Sequence, residues 1–208
     1  MRAVEIRPLD RSEYDAAARI FADAFLDDPG WVAVGPDRPG HRHSILRRYH
    51  RTALNVIHRY GRPIYGAFAD DRRLAGVAAT FAAGLYPPPA WTTAYFAPGF
   101  LLAGPGPIVR GLRFSTIQEH GHPETEHVYL WFLAVDPAQQ RGGVGRALLA
   151  RVYEDADAPV YLDTANPANV PYYASNGFEE IGKADGPRGA TMWFMVRAHP
   201  AEPGAAGL

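Results

Sequence analysis

The chain has 208 residues, a formal net charge of -1 at pH 7, 47% hydrophobic and 21% charged residues, and no cysteine. That length suits one domain with a sizeable core, and the charge gives no global attraction to nucleic acid or to an anionic membrane. The missing cysteine excludes disulfides, thiolate zinc sites and cysteine nucleophiles. The N-terminus is charged throughout and lacks an apolar signal core, and no apolar run reaches the roughly 18 residues of a spanning helix. The expectation is a soluble, cytoplasmic protein with no nucleic-acid or membrane partner.

Val4 to Arg7 alternates apolar and polar residues, as a half-buried strand does. Ser12 is placed to cap a helix running to Phe25, with Ala16, Ile20, Phe21 and Ala24 on one stripe. Asp27-Asp28-Pro29-Gly30 breaks the chain, and Trp31 to Gly40 reads as a loop. Asp27, Asp28 and Trp31 could rim an amine site, or simply form that turn. His41 to Tyr60 reads as a second helix closed by Gly61. His41, His43 and His50 lack the spacing of a helical zinc pair and read as surface residues, so no metal site is expected.

Ile64 to Ala69 and Arg73 to Phe81 read as a hairpin turned by Asp70-Asp71. The Pro-, Gly- and aromatic-rich stretch Gly84 to Pro107 gives no assignment, and Ile108 to Glu119 reads as helical. His127 to Val135 is apolar nearly throughout, as a buried central strand is. Val144 to Asp155 is a helix, Val160 to Thr164 a strand, and Pro171 to Ser175 the start of a short helix. Phe178 to Ile181 and Thr191 to Val196 complete a sheet. Early helices and late strand–helix–strand units indicate α+β, or mixed α/β, architecture. Residues 1–197 form a single domain in this reading, and 198–208 a frayed tail.

The informative stretch runs from Val128 to Leu149. A buried strand enters Asp136-Pro137, and Gly142-Gly143-Val144-Gly145 then opens a helix. Glycines admit a ligand close to the backbone, and the free first-turn N–H groups attract phosphate oxygens. Arg141 and Arg146 add positive charge. The stretch is not a Walker loop, and Asp163 does not complete a dinucleotide fingerprint, since it lies within a mostly apolar strand.

Gln140-Arg141-Gly142-Gly143-Val144-Gly145 resembles the pyrophosphate motif of GNAT acetyltransferases, Gln/Arg-x-x-Gly-x-Gly/Ala. Asn169-Val170-Pro171-Tyr172-Tyr173-Ala174-Ser175-Asn176-Gly177-Phe178 resembles that family's Asn…Tyr-x-x-x-Gly-Phe block. The C-terminal half further resembles puromycin N-acetyltransferase and its relatives, in His122-Pro123 with His127, in the Pro-Tyr-Tyr run and in Met192-Trp193. The resemblance implies a mostly antiparallel sheet with splayed middle strands flanked by helices. It implies an acetyl-CoA-dependent N-acetyltransferase in which a small-molecule primary amine attacks the thioester directly. It leaves room for a homodimer, and also for a non-catalytic module that binds or senses acyl-CoA.

Carried over by motif, Leu133, Ala134 and Val135 offer backbone groups to the pantetheine arm. Gln140, Arg141, Gly142, Gly143, Val144, Gly145 and Arg146 hold the pyrophosphate. Asn169 contacts the cofactor, although some members use a position nearer Asn166. Tyr173 faces the cofactor sulfur and assists thiolate departure, and Tyr172 has no assigned role. The carboxylate that many members carry on the central strand, 11 residues before the motif glutamine, is here Tyr129. Glu126 is then the leading proton acceptor, with His127, His120 and His122 as further candidates.

Overall fold

The computed structural model describes residues 4–60, 63–69 and 72–199. The expected roles of Gly61, of the Asp70-Asp71 turn and of the tail from Pro200 lie outside the described residues. Seven strands form one sheet: β1 (Glu5–Pro8), β2 (Tyr65–Phe68), β3 (Leu74–Phe81), β4 (Val128–Val135), β5 (Val160–Thr164), β6 (Glu179–Asp185) and β7 (Thr191–Arg197). Their order is β1-β2-β3-β4-β5-β7-β6, and every neighbouring pair is antiparallel except β4–β5. The sheet is thus the mixed, mostly antiparallel one expected.

One face carries α1 (Tyr14–Ala24), α2 (Pro29–Val34), α3 (Pro39–Tyr60), α4 (Thr93–Ala103) and α5 (Pro105–Gly121). The other carries α6 (Val144–Asp155) and α7 (Asn169–Ala174). Two apolar clusters result. Phe21, Ala53, Leu54 and Ile57 pack on Tyr129, Phe132 and Tyr161, while Leu148, Leu149 and Val152 of α6 pack on Val128, Leu130 and Leu162. Each such aliphatic side chain, fully buried, contributes roughly 1.5–3 kcal/mol.

The start of α1 differs from the expectation at Ser12. A short turn over Arg11–Glu13 precedes the helix, and Glu13 reaches back to accept the Asp10 backbone N–H at 2.8 Å. The segment after Asp28 is not a loop. The Asp28 carboxylate accepts the N–H groups of Gly30 and Trp31 at 3.0 and 3.4 Å, and Pro29 fills the first helical position, which needs no N–H donor. Gly84 to Pro107 contains α4 and the start of α5. α4 interrupts itself with Pro98 and is apolar almost all round, so it shows no periodicity to read.

His50 is fully buried, contrary to the surface reading. Its Nδ1 lies 2.7 Å from the Leu46 carbonyl, one helical turn back, and its ring stacks on Phe21 with centroids 4.9 Å apart. Phe25, Trp31, Tyr49 and Phe132 close the shell. His41 and His43 do stay at the surface, near the Leu102 carbonyl and the Asp23 carboxylate.

Burial pushes the His50 imidazole down to about 3 from 6.5. The unfolded chain therefore takes up a proton that the folded chain refuses, and this contribution to stability is lost as pH falls from 6.5 towards 3. Urea unfolding of wild type and His50→Phe across that window is expected to show a shallower pH dependence in the variant, by one proton. Parallel curves would place His50 in a solvated setting.

Candidate active site

β4 and β5 pair only through Val128↔Val160 and Tyr129↔Tyr161. Beyond Tyr129, β4 continues beside β3 to Val135↔Gly76, whereas β5 turns its pairing to β7. The ladder with β3 slips at Trp131, passing from Leu130↔Thr80 to Phe132↔Ala79. This bulge bends β4 and places Tyr129 and Phe132 on one face, with Leu130 and Leu133 on the other. The result is a gap between parallel strands in which Leu130 to Val135 present backbone groups with no β5 partner.

A cavity of about 140 Å³ passes through that gap. Leu130, Leu133, Asn169 and Tyr173 line it near the gap, and Phe25, Trp31, Phe114 and Phe132 wall it on the side of α2 and α5. The covering elements are tied down by two arginines. Arg110 of α5 donates to the Gly35 carbonyl at 2.8 Å, and buried Arg42 of α3 donates to the Leu26 and Pro36 carbonyls at 2.8 and 2.9 Å.

Two carboxylates line the cavity, Asp28 and Asp163. Asp163 accepts from the Tyr129 hydroxyl at 2.5 Å and from Gln118 Nε2 at 2.9 Å. Burial raises its pKa, and those two hydrogen bonds oppose the shift. Burial raises Asp28 likewise, opposed by the Trp31 and Gly30 N–H groups. The acidic, aromatic rim read from Asp28 and Trp31 is therefore present, but Asp27 is turned to solvent. In the sequence Asp163 is considered only as the acidic residue of a dinucleotide fingerprint, which it does not complete. Its signal was a lone charged residue in an otherwise apolar strand.

Glu126 is exposed ahead of β4, beside Gly84, and is not part of the cavity lining. His120 is exposed and bonds the Thr116 carbonyl of its own helix. His122 and His127 lie 2.9 Å apart, packed on Tyr86, Tyr129 and Tyr161, outside the lining. Burial pushes His122 down to about 4. Among the described residues no group of acidic, histidine or cysteine side chains could hold a metal.

Past the gap, Asp136 Oδ1 accepts the Ala138 N–H at 2.9 Å, which turns the chain out of β4. Gly143 caps α6 with φ of 87°, a left-handed conformation that glycine adopts without strain. Gln140, Arg141 and Arg146 are exposed around this turn. A Cβ on Gly145 would stand 2.7 Å from the Tyr172 hydroxyl, which is buried and has no hydrogen-bond partner among the described residues. Asn169 Nδ2 donates to Thr164 Oγ1 at 3.3 Å at the head of α7. Of the residues picked out in the sequence, Leu133, Asn169 and Tyr173 line the cavity, Gln140, Arg141 and Arg146 are exposed at the turn beyond β4, and Ala134 and Val144 are buried in the core.

These features fit an acyl-CoA. An unpaired strand edge suits the amides of a pantetheine arm. A glycine-opened helix start with two nearby arginines suits a pyrophosphate, and the unpartnered Tyr172 hydroxyl is a donor awaiting an acceptor. The class defined is a CoA-dependent acyltransferase.

Comparison with known proteins agrees. Residues 37–178 match the Acetyltransferase (GNAT) family, and the chain belongs to that family. It is an N-acetyltransferase with acetyl-CoA as acyl donor. Solved structures share its fold. The histone acetyltransferase HPA2 and related acetyltransferase from Corynebacterium glutamicum is 19% identical, with TM-score 0.72 over 97% of this chain and 99% of that one. The paia N-acetyltransferase of Thermoplasma acidophilum, solved in complex with coenzyme A, is 16% identical with TM-score 0.59 over 94% and 99%. The yncA protein of Salmonella typhimurium, solved with acetyl-CoA, is 18% identical with TM-score 0.55 over 98% and 99%.

The Gly145–Tyr172 contact makes a direct prediction. Gly145 lies within α6 with an ordinary helical φ, so in Gly145→Ala the collision, expected to cost about 1–3 kcal/mol, is set against the roughly 0.5–1 kcal/mol that alanine gains over glycine in a helix. Gly145→Ala/Tyr172→Phe relieves it. Denaturant unfolding of both single variants and the double variant is expected to show recovery in the double. Additive losses would mean that the two groups are not in contact.

Proposed function

We propose that this acetyltransferase transfers the acetyl group of acetyl-CoA to the primary amine of a small organic molecule, by direct attack of the amine nitrogen on the thioester. The observation that carries this reading is the cavity itself. It reaches the gap between β4 and β5, where Leu130, Leu133 and Tyr173 line it, and aromatic side chains from α2, α5 and β4 wall it beyond. A cavity of this size, walled by aromatic side chains, suits a small acceptor better than an extended peptide, which needs a long groove. The likeness of the C-terminal half to puromycin N-acetyltransferase supports the same acceptor class. A cytoplasmic setting suits a cysteine-free enzyme that draws on acetyl-CoA.

In this reading Leu133, Ala134 and Val135 align the pantetheine arm through backbone groups, and residues Gln140 to Arg146 hold the pyrophosphate. Asn169 steadies the arm where β5 leads into α7. Attack of the nitrogen on the carbonyl carbon expels a thiolate, and the Tyr173 hydroxyl supports that leaving charge. Tyr173 is buried, and burial pushes its pKa far up. A phenol so shifted is a poor source of a free proton. It acts chiefly as a hydrogen-bond donor that strengthens as charge develops on sulfur.

Tyr173→Phe keeps the ring and removes only that hydroxyl. The chemical step is expected to fall about 10²–10⁴-fold with little change in acetyl-CoA affinity. Tyr172→Phe is expected to do the reverse, weakening CoA binding because its hydroxyl stands at the phosphate turn. Single-turnover acetyl transfer and CoA titration on both variants check this. A fully active Tyr173→Phe would remove Tyr173 from the chemistry.

A further inference from the structure

The cavity holds acid without base. Asp163 is enclosed at the junction of β5, β4 and α5, and its hydrogen-bond partners, Tyr129 and Gln118, are both neutral. The other titratable groups that face it are Asp28 beside α2, Tyr49 of α3, Tyr86 of the loop after β3, Tyr161 of its own strand and Tyr173 of α7. Every one is an acid. Among the described residues neither Asp163 nor Asp28 forms an ion pair with arginine, lysine or histidine. Enclosing a carboxylate costs several kcal/mol unless charge opposite in sign compensates it. No side chain supplies that charge, so a bound molecule can.

The surrounding walls are of the kind that accept a cation. Phe25, Trp31, Phe114, Trp131 and Phe132 line the same cavity. Aromatic faces attract ammonium groups and exclude water, and an apolar body fills the remaining space. A carboxylate brought in by the acceptor meets two like charges and no positive partner, which the cavity penalises.

We propose that the acceptor is an organic ammonium with an apolar body and no carboxylate, that Asp163 binds its ammonium group, and that Asp163 takes the proton whose removal frees the nitrogen lone pair. The proposal rests on the amine-acetylating reading given above. The protons balance. The ammonium gives one proton to Asp163 and becomes the amine. Nitrogen then bonds to the acetyl carbon as the carbon–sulfur bond breaks, and the second nitrogen proton ends on the departing thiolate. Asp163 returns its proton to solvent before the next turn. Asp163 is thus a catalytic residue, while Tyr129 and Gln118 are positioning residues whose hydrogen bonds favour its carboxylate form.

The test uses the full chain, acetyl-CoA, and a pair of acceptors that differ only by a carboxylate, phenethylamine and phenylalanine. Thiol release is expected to favour phenethylamine by about 100-fold or more in kcat/KM. Asp163→Asn should lower kcat/KM for phenethylamine about 10²–10⁴-fold. The same variant should melt higher than wild type at neutral pH without ligands, and should lose that gain in acid. Wild-type Asp163 binds a proton more readily folded than unfolded, so its penalty grows as pH rises. Tyr129→Phe removes a bond that favours the carboxylate, and is expected to move the acid limb of kcat/KM to higher pH. That shift is not produced by a merely structural tyrosine.

Equal use of the two amines, preference for phenylalanine, or an unchanged acid limb in Tyr129→Phe overturns the proposal while leaving acetyl transfer in place. So does loss of activity in Glu126→Gln with Asp163→Asn still active. Absence of thiol release with any amine, in protein that does not bind CoA, defeats the functional reading instead. If Asp163→Asn does not fold, the amine pair and Tyr129→Phe decide the matter alone.

Discussion

The parting of β4 from β5 after two residue pairs is the constraint on which the rest of the molecule depends. A parallel pair that stops pairing leaves polar backbone groups without partners, and buried backbone groups demand partners. Here the break is enforced from both sides. The slip at Trp131 bends β4 along β3, and β5 commits all five of its residues to β7. The strands stay together only where Tyr129 and Tyr161 pack beneath them, and the Tyr129–Asp163 hydrogen bond crosses the start of the gap. The unpaired edge becomes a place for a ligand backbone.

Everything that handles substrate is arranged about this gap. On one face, α6 starts with a glycine turn just beyond the end of β4, and α7 carries Tyr173 to the opening. On the other face, α2 and α5 close over the acceptor space, and Arg42 and Arg110 hold them through main-chain carbonyls. The cavity is lined from both faces. Acyl donor and acceptor can therefore be held on opposite faces of the sheet and meet at the strand edge, a geometry that supplies proximity without a covalent relay.

The elements assigned to the donor were legible in the sequence because they are local. A buried strand, Asp136-Pro137, four residues rich in glycine and a helix lie in one continuous run, and each step has its own signal. Asn169 to Phe178 is likewise one short block. The acceptor half was not legible, since it is assembled from distant segments. α2 hid behind Asp28-Pro29-Gly30, where the capping signal and the turn signal share the same residues. α4 is apolar on all sides, so no stripe marked it as a helix. Asp163 gains meaning only when Gln118 and Tyr129, far away along the chain, reach its oxygens. The same blindness to partners placed buried His50 at the surface and favoured Glu126, which stands close in sequence but outside the cavity.

The central claim is that the unpaired edge of β4 receives the donor. Amide hydrogen exchange along Val128 to Val135, with and without CoA, tests it most directly. In the free protein, Val128 and Tyr129 are expected to exchange slowly because they lie in the paired part of the sheet. CoA is expected to slow exchange within Leu130 to Val135 and at the start of α6, and to leave Val128 and Tyr129 unchanged. Bound CoA that protects α6 but leaves Leu130 to Val135 as they were would contradict the account, because the donor would then lie outside the gap.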